Sequence, residues 1–175
     1  MKKRIGLIIT IIVAALIICL LVWRFWPHSS SSLISVDENA VTSFSAYAMV
    51  HRFENGQTYT DTYHIERTEQ QGYALGEIVE ILATSGYQQD FRNLSPRGVD
   101  SVGSDKNYDG RTVTLSFYTD SRTDEYVDIQ FLGKSIIAVS YEGKSGFRIY
   151  HPTSHKVIDN LVEYLQTHGV KQPLT

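Results

Sequence analysis

The chain has 175 residues, long enough for one sizeable core, and its net charge of −3 is unevenly placed: beyond position 32 lie all 19 acidic residues and only 12 of the basic ones. That region is therefore acidic by about seven charges, which excludes the basic footprint of a nucleic-acid-binding protein. The single cysteine, Cys19, sits inside an apolar run, so the rest of the chain has no disulfide, no thiolate nucleophile and no cysteine metal site.

Residues Ile5 to Trp23 run for 19 positions without a charge, and 13 of them are Ile, Leu or Val. At 1.5 Å per residue such a helix spans about 29 Å, which matches a hydrocarbon core of about 30 Å. Lys2, Lys3 and Arg4 precede the run and only Arg24 follows it, so the positive-inside rule predicts a cytoplasmic N-terminus. Trp23, Phe25 and Trp26 form an aromatic belt at the far interface, and Pro27 ends the helix. A cleaved signal peptide has a shorter apolar region, about 7–15 residues, and a small-residue cleavage site; here bulky Trp23-Arg24-Phe25-Trp26 follows. Lipidation at Cys19 lacks the small residue it needs at position 18, which is Ile. The expected organisation is a basic tip over 1–4, a signal-anchor helix over 5–26, a flexible Ser-rich linker over 27–40 and one extracytoplasmic domain over 41–171.

Two alternating runs follow, Val41 to Arg52 and Thr58 to Arg67, separated by Asn55-Gly56, the dipeptide best suited to a type I′ turn. Centring the turn there pairs Val50 with Asp61, Ala48 with Tyr63 and Ala46 with Ile65, so the apolar faces coincide except at Asp61. Tyr59 and Tyr63 are expected in the core, whereas Tyr47, Met49, His51 and His64 fall on the polar face. Residues 74–85 have a helical stripe of Leu75, Ile78, Val79 and Leu82, with Gly86 as the cap glycine. The polar stretch from Tyr87 to Lys106 reads as a loop holding at most one short strand. Strands return at 111–118, 126–132, 135–141 and 146–150, with Gly133-Lys134 as a two-residue type II′ turn. A last helix over 154–168 is capped by Thr153 or Ser154, buries Val157, Ile158, Leu161, Val162 and Leu165, and stops at Gly169. The expected fold class is α+β: a mainly antiparallel sheet of five or six strands in hairpin–helix–meander–helix order, with both helices on its apolar face.

Residues Asp105-Lys106-Asn107-Tyr108-Asp109-Gly110 match the first six positions of a calcium loop, with Asp105, Asn107 and Asp109 as oxygen ligands. The match fails at position 12, which is Ser116 rather than Glu, and no helices flank it; the competing reading is a turn leading into Arg111. His51 and His64 share a face but lie at opposite ends of the hairpin, and His151 and His155 are four apart with Pro152 between them, so both pairs read as ordinary surface histidines. Asp124, Glu125 and Asp128 resemble the carboxylates of a glycan hydrolase only in number, and clusters like this are usually solvated turns. Asn93-Leu94-Ser95 is a glycosylation sequon. No nucleophile elbow or phosphate loop occurs.

All 11 tyrosines lie beyond position 32, and Tyr47, Tyr118 and Tyr126 occupy polar strand faces. Exposed tyrosines bring large contact area with few rotors. The expectation is a non-enzymatic envelope module, needing no cofactor, that meets a protein partner through Tyr47, Met49, His51, Tyr118 and Tyr126. The rival expectations are a hydrolase built on residues 124–128 and a weak calcium or small-ligand sensor.

Overall fold

The computed structural model describes residues 2–30, 33, 41–69, 72–94, 108–119, 126–141, 143 and 146–172. A 24-residue helix, α1 (Lys2–Phe25), comes first. Its stretch Gly6–Phe25 is long and apolar enough to cross a membrane, and all of it but the terminal Phe25 stays exposed, unlike a core helix.

The hairpin pairs β1 (Ser43–Glu54) with β2 (Gln57–Glu69). Asn55 and Gly56 have φ of 52° and 80°, the two positive values a type I′ turn requires, and Glu54 pairs with Gln57 across it. The register joins Val50 to Asp61, Ala48 to Tyr63 and Ala46 to Ile65, as the coincidence of apolar faces predicts. Asp61, the one mismatch, is satisfied as an ion: its carboxylate lies 2.7 Å from Arg52 and 2.8 Å from Lys171.

Helix α2 (Gly72–Ala83) follows, then β3 (Tyr87–Gln89), a 3-10 turn over Phe91–Leu94, and the meander β4 (Arg111–Tyr118), β5 (Tyr126–Leu132), β6 (Ile136–Tyr141) and β7 (Arg148–Pro152). Helix α3 (Lys156–His168) and β8 (Val170–Gln172) end the fold. The described strands form one eight-stranded sheet in the order β3-β7-β6-β5-β4-β1-β2-β8, with every pairing antiparallel. Strand count is a correction. The six strands expected from patterning make the middle of the sheet, and two three-residue strands, β3 and β8, close its edges. Three residues carry too little alternation to stand out in a sequence; both are held by pairing with a longer neighbour.

One face of the sheet supplies Phe44, Ala46, Ala48, Val113, Leu115, Phe117, Val127, Ile129, Phe131, Ile137 and Val139 to the core, each at most 4% exposed. Ile78 and Leu82 of α2 and Val157, Ile158, Leu161, Val162 and Leu165 of α3 close over the same face. Burial on this scale, at roughly 25 cal/mol per Å², stabilises a disulfide-free domain.

Local details depart from expectation for identifiable reasons. The turn between β5 and β6 has three residues, since Leu132 pairs with Ile136. Gly133 stays tied to β4 through its N–H on the Arg111 carbonyl at 2.8 Å, while the Lys134 and Ser135 carbonyls turn outward to accept from His155 and His151. His155, at the N-cap of α3, makes no side-chain cap hydrogen bond, and Ser154 offers only a long one, its Oγ accepting from Lys156 N at 3.4 Å. Thr153 is used elsewhere: its Oγ1 accepts from Gly86 N at 3.0 Å. Gly169 does stop α3, its N–H donating to the Leu165 carbonyl at 2.9 Å, but it is extended at φ −84°, and Gly86 is not left-handed either. A Cβ on Gly169 would lie 2.5 Å from the Leu165 carbonyl oxygen, and one on Gly86 would press on Pro27 at 3.3 Å. Both glycines allow close approach of backbone rather than a turn of opposite hand.

The expected flexible linker gives way, at its described residues, to packed chain. His28 and Tyr87 exchange both backbone hydrogen bonds, at 2.9 and 2.8 Å. Ser30 is buried, and Leu33 is fully buried within the core. Tyr141 Oη donates to the Leu33 carbonyl at 3.3 Å. The end of α1 is thus fastened to the edge of the sheet.

Candidate interaction face

Alternation along the strands sends every second side chain to the face away from α2 and α3. On that face Tyr47 stands between His64 of β2 and Thr114 of β4, and Met49 between Thr62 and Thr112. His51 opposes Thr60, and its Nδ1 lies 2.8 Å from the threonine hydroxyl. Tyr47, Met49 and His51 form one half-buried row. Tyr118 and Tyr126 are paired across β4 and β5, with ring centroids 5.9 Å apart at 48°. Tyr118 is four residues along β4 from Thr114, so the aromatic pair lies about 14 Å from Tyr47. The five residues therefore share a face but form two clusters.

Among the described residues, three polar atoms on this face are buried without a hydrogen-bond partner: Thr62 Oγ1, His64 Nδ1 and Asp128 Oδ1. Two of them flank the Tyr47–Met49 row. An unmet buried donor or acceptor costs about 1–3 kcal/mol, which a bound partner or water relieves.

Pattern reasoning missed the tip of the hairpin. β4 pairs with β1 only as far as Val50, so the remainder of the hairpin projects as a two-stranded ribbon. Phe53 is 75% exposed there, and Tyr59, expected in the core, is exposed too. The signal available was length: β1 and β2 have 12 and 13 residues, while β4 has eight. Tyr63, nearer the sheet, does pack on the core.

Asp105 and Asn107 of the calcium pattern lie outside the described residues. Asp109 is described, and its carboxylate is engaged by Arg111, with Oδ2 accepting from Nε at 3.0 Å and from Nη2 at 2.6 Å. Arg111 also reaches Asp159 at 2.7 Å, which fastens the start of β4 to α3. That geometry gives Asp109 the structural role of a turn leading into a strand. Asp124 and Glu125 likewise fall outside the described residues. Asp128 sits between Ser116 and Ser140, with no histidine at a neighbouring register position. Among the described residues no group of three His, Cys, Asp or Glu side chains is arranged to hold a metal. An open groove of about 330 Å³ runs between α2 and α3, lined by Glu77, Glu80, Ile81, Thr84, Tyr164 and His168. Burial, assisted by the Glu77 carboxylate, pushes the Tyr164 hydroxyl up to about 12.

His151 is part of a clasp. Its Nδ1 contacts the Ser135 carbonyl at 2.7 Å and its Nε2 contacts Asp90 at 2.9 Å, so both ring nitrogens are occupied. Asp90 also accepts from Arg92 Nε and Nη2, and the Arg92 guanidinium holds this carboxyl far below the usual carboxylate range. A depressed folded-state pKa contributes stability that is complete above the unfolded value of 3.8 and is lost as pH falls below it. Asp90→Asn is expected to cost about 2 kcal/mol near pH 6 and progressively less below pH 4. Urea unfolding of both proteins at about pH 6 and about pH 2.5 checks this; a gap that does not narrow in acid removes the ionic role.

Compared with family models, curated proteins and solved structures, the chain matches none.

Proposed function

We propose that the chain is a membrane-anchored, non-enzymatic binding or accessory module of the cell envelope, its domain held on the extracytoplasmic side. The basic residues ahead of α1 and the lone Arg24 behind it support this orientation. The domain's acidic excess is the reason to look for protein rather than nucleic acid as partner. The observation that carries the reading is the row of Tyr47, Met49 and His51, half-buried beside the unpartnered Thr62 Oγ1 and His64 Nδ1. A rigid aromatic and a polarizable thioether next to unmet polar groups make an anchor for a complementary surface.

The test is capture of partners by the full-length protein after mild cross-linking in its own membrane. Tyr47→Ala is expected to reduce capture tenfold or more, as for an interface hot spot of about 2 kcal/mol, with the circular dichroism unchanged. Tyr118→Ala, about 14 Å away, should have a smaller effect. Undiminished capture by Tyr47→Ala would remove this face from the proposal.

A further inference from the structure

Phe25 closes the apolar stretch of α1, and the ring of Phe91 rests on it with centroids 4.2 Å apart. If α1 spans the bilayer, Phe25 lies at the boundary of hydrocarbon and headgroups, and Phe91 lies at the same depth. Phe91 is nevertheless 69% exposed. Leu94, three residues on in the same 3-10 turn and so on the same side of it, is 53% exposed. Trp23 and Trp26 are exposed at the same end of α1. Single exposed apolar side chains are unremarkable on a soluble surface, but here two belong to the turn that meets Phe25 and two to the same end of the apolar helix.

We propose that the 3-10 turn Phe91–Leu94 is a second membrane contact, its Phe and Leu inserted into the interfacial layer beside Trp23 and Trp26. The occupant is the lipid surface of the leaflet from which α1 emerges. Two features hold the turn at that depth. The His28–Tyr87 exchange fixes β3 against the end of α1. Asp90, bound to His151 and by its Oδ1 to the Arg92 backbone N–H at 2.7 Å, fixes the turn to the sheet. The Arg92 guanidinium, half-exposed and paired with Asp90, suits the headgroup zone, where a charge keeps its water. The domain is then seated by its β3 edge rather than swinging on a tether. Strand β1, with the Tyr47 row, lies five strand spacings away in the sheet, about 24 Å, clear of the lipid.

The inference rests on α1 being a membrane anchor, and the experiment separates the two. Full-length protein carrying Cys19→Ala is placed in phosphatidylcholine–phosphatidylglycerol nanodiscs with single spin labels introduced by Phe91→Cys, Leu94→Cys, Val13→Cys or Phe53→Cys. All four side chains are solvent-exposed in the fold, so labelling leaves the core intact. Labels at 91 and 94 are expected to collide with a water-soluble nickel chelate at least about threefold less than the label at 53, as for side chains buried about 5–10 Å into the headgroup boundary. The label at 13 should be protected most. Chelate access at 91 and 94 equal to that at 53, with 13 protected, overturns the seating and leaves the anchor standing. Access at 13 as well overturns both.

Discussion

Asn93→Ala is expected to lower the stability of the domain by about 2–4 kcal/mol, measured as the shift in urea unfolding of the full chain in micelles. Strand β3 stops at Gln89, and β7 would then have an uncovered edge at Ile149. The Asn93 side chain takes the place of the missing strand: Nδ2 donates to the Ile149 carbonyl at 2.7 Å, and Oδ1 accepts the Ile149 N–H at 2.7 Å. Asn93 is only 3% exposed, so no water replaces it readily. In the alanine variant the Ile149 carbonyl keeps its bond from Asp90 N, but the Ile149 N–H is orphaned in a dry site. Asn93→Asp keeps the acceptor and, when its carboxyl is protonated, also supplies an O–H to the Ile149 carbonyl, so it should recover part of the loss in acid; ionised, it would face that carbonyl as a buried charge and recover little. A loss under about 0.5 kcal/mol for the alanine variant would mean that the amide pair is incidental. The same geometry bears on the sequon, because the nitrogen a glycan would need is buried and in use once the domain has folded.

That side chain also shows where sequence reading stops. The hairpin register was legible because an error of one residue would have turned Phe44, Ala46 and Ala48 to the wrong face, and Asn55-Gly56 left one place for the turn. The inward residues of β4, β5 and α3 were legible for the same reason: periodicity and burial agree. Nothing periodic announces β3, β8 or the Asn93 bridge, which depend on long-range partners at sequence separations such as the 56 residues between Asn93 and Ile149. The candidate face was legible in membership but not in arrangement. Alternation puts Tyr47 and Tyr118 on one side of the sheet, and only the β1–β4 register shows that they stand apart along it. Gly169 was legible as the stop of α3, whereas Gly86 was found for the wrong reason, since a glycine near a helix end signals a cap far more often than a close approach.

The linker is where this difference matters most for function. A Ser-rich stretch predicts flexibility from composition, yet composition does not register one leucine that finds a core. Leu33 is fully buried among residues of the sheet and helices, and its carbonyl accepts from Tyr141. Leu33→Ala is therefore expected to cost about 2–5 kcal/mol, the range for a core leucine truncation, although it lies outside the region that patterning assigns to the domain. Leu20→Ala, which trims an exposed side chain of α1, should leave urea unfolding of the domain in micelles unchanged. Equal, negligible effects from both would restore the flexible tether. A large effect from Leu33 alone would mean that folding of the domain and its position against α1 are one event. A partner bound on the Tyr47 row would then act against a domain held in place, and force or displacement at that face would reach the membrane helix through Leu33 and His28 instead of dissipating in a loose chain.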